Sequence, residues 1–237
     1  MTDYGLVASV LAAFVVTSII ERAWWPLTTT FGDAGFTDVV LGPAAVGLLV
    51  GRLVTVMIDD PGSIGRLSDV LVIRSGVEFW PGVLAAAIAA GWSAKRTGTR
   101  VVERVADVAP LAMIAYGVYE VSCLARGGCY GPSSSIGIRP RGLSTTMVPV
   151  GLGLGLVVAT GAAFVHAISR RHWAPGSTLL LATWIVSTSR SVASFWLPRL
   201  GSTPTRQHLT SLAVSVTTTV ALVGCGAART RRMRTAT

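Results

Sequence analysis

Apolar residues in this chain gather in blocks, separated by shorter stretches rich in Arg, Gly, Pro and Ser. A helix crossing a bilayer needs about 17–25 predominantly apolar residues, and the blocks recur at about that length. The pattern predicts about seven spans. The first covers residues 4–20 and is closed by Glu21-Arg22. The second covers 39–57 and runs into Asp59-Asp60-Pro61-Gly62. The third, at 79–92, is short and ends at a basic loop from Lys95 to Arg104. The fourth opens the stretch 107–131, the fifth covers 146–168, the sixth 177–197 and the seventh 209–226. The expected fold class is all-α: a polytopic membrane helix bundle, one transmembrane domain over residues 1–228 with a basic tail at 229–237.

The stretch 107–131 organises the rest. It begins as an apolar helix, carries Glu120 inside that helix, and breaks at Arg126 into Gly127-Gly128-Cys129-Tyr130-Gly131. A carboxylate within a span is costly and usually functional. Glycines at the end of such a helix let backbone come close to a ligand. On local features alone, a capped helix with Glu120 paired to a neighbouring Arg reads equally well.

Composition agrees with the pattern. The chain is 51% hydrophobic and 13% charged, with a mean hydropathy of +0.61. A soluble domain carries about 25% charged residues. The net charge of +9 is explained by Arg-rich cytoplasmic loops and anionic lipid, without nucleic acid. Lys95, Arg96, Arg100 and Arg104 face one acid, Glu103. Arg170 and Arg171 face none, and neither do Arg229, Arg231, Arg232 and Arg234 of the tail. With seven spans these segments share one side, which the positive-inside rule makes cytoplasmic. The N-terminus is then outside and the C-terminus inside. No basic region precedes the first span, which is expected to be retained rather than cleaved. The outer loops are polar and rich in Pro, Gly and Ser, as a site opening outward requires.

Candidate chemistry rests on the charges in and beside the spans. Arg52 lies in the second, Glu120 in the fourth and Arg190 in the sixth; Arg74 and Glu78 flank the third, and Arg126 ends the fourth. The bland alternative is an internal ion-pair network or snorkelling Arg. Several guanidinium forks converging with one carboxylate favour an anion site such as a lipid phosphate. His166, His172 and His208 show no metal-ligand spacing, and neither a metal nor a cofactor is expected. Cys123 and Cys129 suit either an outer disulfide or two buried thiols, and Cys225 is expected to pack. Gly151, Gly153 and Gly155 lack the strand-turn-helix context of a nucleotide loop, so close helix packing is the better reading.

Seven short segments in order resemble the bacterial prolipoprotein diacylglyceryl transferase family. Tyr4-Gly5-Leu6 is similar to its opening Y-G-L, and Gly51-Arg52-Leu53 to its G-A/G-R-L. Residues 75–82, Ser-Gly-Val-Glu-Phe-Trp-Pro-Gly, resemble G-G-x-S-F-H-G-G. Asp107-Val108-Ala109-Pro110 resembles D-x-x-A-P, and Gly127-Gly128-Cys129-Tyr130-Gly131 resembles N-G-C-C-Y-G. Pro175-Gly176 and Ser189-Arg190-Ser191 resemble the late G and Y-G-x-x-R-F. Residues 207–212, Gln-His-Leu-Thr-Ser-Leu, resemble G-Q-x-x-S-L. The chain also departs from the pattern. Trp80 stands at the family's His, Glu120 at its Arg, Arg126 at its Asn, and Arg74 and Ser194 at two acids. An acid replaced by Arg74 and an Arg replaced by Glu120 suggest a swapped ion pair.

The resemblance implies a seven-span enzyme of the bacterial inner membrane that moves diacylglyceryl from phosphatidylglycerol to the cysteine thiol of a secreted preprotein. It further implies that Arg52, Arg126, Arg190 and Arg74 hold the lipid phosphate and that Tyr4 positions the headgroup. Glu120 is the buried acid placed to act as base, so Glu120, Arg190 and Tyr4 form the candidate catalytic set. The alternative is a catalytically altered relative that binds anionic phospholipid, or another membrane protein, as a scaffold.

Overall fold

The computed structural model describes residues 5–24, 37–59, 61–63, 77–140, 143–171, 173–197 and 205–235, with the side chains of 5–7, 37–38, 63 and 226–235 left out. Among these residues there are seven α-helices, in step with the seven apolar blocks. They are α1 (Gly5–Trp24), α2 (Gly42–Asp59), α3 (Phe79–Arg96), α4 (Val101–Ala125), α5 (Val150–Ser169), α6 (Pro175–Ser194) and α7 (Arg206–Thr235). A π-helical turn, Thr37–Leu41, leads into α2, and a short strand, β1 (Ser133–Ile138), lies between α4 and α5. Among the described residues, four segments are long and apolar enough to cross a membrane: Val39–Asp59, Val101–Ala125, Val150–Ser169 and Arg206–Cys225.

The chain divides into two compact units. One holds residues 24–108; the other holds residues 1–23 and 109–237. The division falls inside α4, beside Pro110. A proline within a helix lacks the N–H that would meet the carbonyl four residues back, so the ladder is weakest there.

In the unit of residues 24–108, α2 and α3 pack through small residues. A Cβ on Gly47 would lie 2.7 Å from the Gly82 carbonyl oxygen, so the two backbones touch directly. The Glu78 N–H donates to Gly51 O and to Thr55 Oγ1 just before α3 begins. The expected basic loop Lys95–Arg104 is a tight turn at residues 97–100 between the end of α3 and the start of α4. Arg104 lies in the first turn of α4, almost fully buried, and its Nη2 donates to Thr97 and Thr99. The turn needs an internal donor for its hydroxyls, and Arg104 supplies it. Arg100 instead pairs with Glu103 at the surface.

In the other unit α5 buries an apolar face, Leu154, Val158, Ala162 and Val165, whereas α1 and α7 turn polar residues inward and apolar ones outward. On α1, Ser9, Ala13, Thr17 and Glu21 recur every four residues and are buried, while Leu11, Val15 and Ile19 are exposed. On α7, His208, Ser211 and Thr218 are buried, while Leu209, Leu212, Val216, Val220 and Val223 are exposed. Thr188 of α6 and Ser215 of α7 share a 2.7 Å hydrogen bond, and Trp184 donates to Thr219. In lipid, helix association relies on small residues and polar contacts because hydrocarbon tails satisfy the apolar faces. This unit therefore reads as membrane-embedded protein on its surface pattern alone.

Helices α4 and α5 meet at glycines. A Cβ on Gly155 would lie 2.5 Å from Gly117 O, and one on Gly151 would lie 2.6 Å from Glu120 O. Gly153 faces the other way, with nothing near it, so it takes no part in the packing expected of all three glycines. Cys225 is exposed rather than packed. Gly155→Leu is expected to lower stability in detergent by about 1–3 kcal/mol or more through overpacking, whereas Gly153→Leu leaves it unchanged. Thermal unfolding of the two variants checks this contrast.

Candidate functional site

The C-terminal half of α4 is fixed from two sides. Its carbonyls at Gly117 and Glu120 seat against Gly155 and Gly151, and its end is tied down by the turn that follows. Gly127 adopts φ +80°, a left-handed conformation that glycine takes without steric cost. The Gly128 N–H donates to Cys123 O, and Cys123 and Cys129 form a disulfide. The Tyr130 hydroxyl donates to Leu124 O. The chain then pairs with residues 146–148: the Gly131 N–H donates to Val148 O and the Ser134 N–H to Thr146 O. The Gly151 N–H donates to Cys129 O, returning the chain to the start of α5. Glu120 is thereby held on a helix segment that cannot rotate without breaking the turn.

Arg190 reaches Glu120 from the C-terminal part of α6. Its Nη1 lies 3.4 Å from Glu120 Oε1, with the two side chains 16% and 10% exposed. The same nitrogen donates to the Tyr116 hydroxyl at 2.6 Å, and the Tyr116 hydroxyl in turn bonds Glu120. The second arm, Nη2, donates to Gln207 Oε1 at 2.9 Å. On the far side of the carboxylate, the Cys129 sulfur lies 3.8 Å from Glu120 Oε2. Tyr116 and Glu120 stand four residues apart on one face of α4, so one guanidinium spans both.

One helical turn further along α6, Ser194 contacts His208 Nδ1. Gln207 and His208 sit in the first turn of α7, which Thr205 caps: its Oγ1 accepts the His208 N–H, as an N-cap side chain does. The Phe195 ring meets the His208 ring edge-on at 4.6 Å. Arg126 lies over the Tyr119 ring, 4.8 Å from its centroid.

The candidates of the sequence thus separate. Glu120 and Arg190 are brought together, and Arg126 stands near the same end of α4. Arg52 is buried in α2, in the unit of residues 24–108. Tyr4 and Arg74 lie outside the described residues, and with Arg74 the proposed swap of ion-pair partners; Glu120 pairs with Arg190. Tyr116, Gln207, Ser194 and His208 belong to the cluster without having been singled out as site residues. Spacing could have flagged Tyr116, one turn before Glu120, and Ser194, one turn after Arg190. No ion-binding group of three or more His, Cys, Asp or Glu occurs among the described residues.

Polar faces of α1 and α7 turned inward, exposed apolar faces and a largely buried Arg190–Glu120 pair fit a multi-pass membrane protein with a charged internal site. The chain belongs to the prolipoprotein diacylglyceryl transferase family, whose model matches residues 1–229. That membership places it among the membrane transferases of lipoprotein biogenesis. No curated protein matches the chain.

Removing one member of a buried pair leaves an uncompensated charge, a loss of about 3–5 kcal/mol. Arg190→Met is expected to destabilise the protein by that order, and adding Glu120→Met to recover much of it. A double-mutant cycle on thermal unfolding measures this coupling; independent, additive losses would show that the pair carries no such energy.

Proposed function

We propose that the chain transfers diacylglyceryl from phosphatidylglycerol to the cysteine thiol of a secreted preprotein, in the bacterial cytoplasmic membrane. The observation that carries this reading is the partly buried Arg190, held by Tyr116, Glu120 and Gln207 in a chain that belongs to the transferase family. The thiol sulfur forms a bond to the glyceryl carbon, the bond from that carbon to the phosphate oxygen breaks, and glycerol phosphate leaves with the electron pair. The thiol proton passes to a base.

Charge develops on the leaving phosphate, and a fixed cation in a water-poor site stabilises it. Arg190 is the anchor for that phosphate, because a guanidinium fork matches two phosphate oxygens. Its present partners include two neutral groups, Tyr116 and Gln207, which a phosphate can replace. Glu120 keeps Arg190 extended while the site is free of lipid, and it opposes the incoming anion. Binding is weakened by that repulsion, and so is retention of the glycerol phosphate product. Arg126, beside the same end of α4, is a further cation of this unit available to the phosphate. Arg52 belongs to the other unit, and Tyr4 and Arg74, outside the described residues, keep only the roles that the family resemblance implies.

The departures at Trp80 and Glu120 favour a second reading, a lipid-binding scaffold without transfer. Complementation separates the two. In cells depleted of their own diacylglyceryl transferase, the chain is expected to restore prolipoprotein processing. Arg190→Lys, which keeps the charge but loses the fork, is expected to abolish most of it while still inserting. Normal insertion without any processing would overturn the transferase reading and favour the scaffold.

A further inference from the structure

A thiol acceptor needs a group to take its proton, since a free cysteine is mostly protonated at neutral pH. Resting on the transferase reading above, we infer that His208, oriented by Ser194, is that base. Glu120 is poorly placed for the task. Its Oε1 accepts from Arg190, the Tyr116 hydroxyl bonds the same carboxylate, and the disulfide sulfur of Cys129 stands against Oε2. Its lone pairs serve the anchor.

The hydrogen bonds around Ser194 assign the tautomer of His208. Ser194 Oγ donates to Ser191 O at 2.6 Å. A serine hydroxyl has one proton, so its contact with His208 Nδ1 runs the other way: Nδ1–H donates and Oγ accepts. A neutral imidazole with its proton on Nδ1 carries a bare lone pair on Nε2. No described residue occupies that nitrogen. The ring itself is buried, its plane held by Phe195 and its backbone by the Thr205 cap. A base with one nitrogen held by a neighbour and the other without a hydrogen-bond partner among the described residues is the arrangement that general-base catalysis uses.

Its position suits the reaction. His208 follows Gln207, which holds the second arm of Arg190. Ser194 lies one helical turn from Arg190, where side chains are neighbours. The proton acceptor therefore stands one turn from the phosphate anchor. In the step, the S–H proton moves to His208 Nε2 as sulfur bonds the glyceryl carbon. The carbon–oxygen bond to phosphate breaks, and the imidazolium later returns its proton to the departing phosphate or to water. Ser194 is a positioning residue, because it acts through the ring.

The test uses the full-length protein in detergent with phosphatidylglycerol micelles and a synthetic peptide bearing the acceptor cysteine. His208→Asn places an amide N–H near the Nδ1 position, keeping the bond to Ser194, and leaves nothing at Nε2. It is expected to lower the transfer rate by about a hundredfold or more with thermal stability and retained phosphatidylglycerol unchanged. Ser194→Ala is expected to give a smaller loss. Free imidazole is expected to restore part of the activity of His208→Ala, which a purely structural role would not allow. The inference is overturned if the wild type is active and His208→Asn keeps its rate. It is also overturned if His208→Asn loses bound lipid together with activity and His208→Ala is not rescued. A wild type without transfer overturns the proposed function itself, and this inference with it.

Discussion

The unit that carries the site depends on one buried ion pair, Arg190 with Glu120. Taking both charges out of water is expensive, and their attraction repays it only when the remaining donors and acceptors are satisfied. Tyr116 and Gln207 meet that condition for the guanidinium. The pair also sets what the backbone must do. The α4 carbonyls press against Gly151 and Gly155, and the turn after α4 is closed by Gly127, the Cys123–Cys129 disulfide and pairing with residues 146–148. Each device limits rotation of α4, and so limits where Glu120 can be.

The pair also links fold to chemistry. A guanidinium held only by carboxylates would be locked, whereas one held partly by a hydroxyl and an amide can exchange those partners for phosphate oxygens. A carboxylate in the same site makes the exchange reversible. On this account, the Glu120 that stabilises the lipid-free protein is also what keeps the lipid and its product from binding too tightly.

Much of the fold was legible because helical blocks of apolar residues have few alternatives in lipid. All seven segments are helices, and of the three glycines expected to pack closely, Gly151 and Gly155 do while Gly153 does not. The site was legible only in part. Glu120 and Arg190 stood out because charge inside a span is rare. Their pairing, 70 residues apart in the chain, could not be read from local pattern. Arg104 misled because a basic residue beside a turn normally faces water, and here it turns inward to serve Thr97 and Thr99. In the sequence Ser194 stands out only as a departure from the family pattern and His208 only as a histidine without metal-ligand spacing, and Tyr116 is not singled out. Their roles come from facing partners on other helices, which sequence spacing does not reveal.

The central claim is that Arg190 binds the lipid phosphate in competition with Glu120. Native mass spectrometry of phosphatidylglycerol retained by purified Glu120→Gln tests it most directly, because the substitution removes the competing charge but keeps an acceptor for the guanidinium. The account predicts tighter retention than in the wild type, and loss of the lipid when Arg190 is also replaced by Ala. Loss of the lipid in Glu120→Gln alone would contradict it.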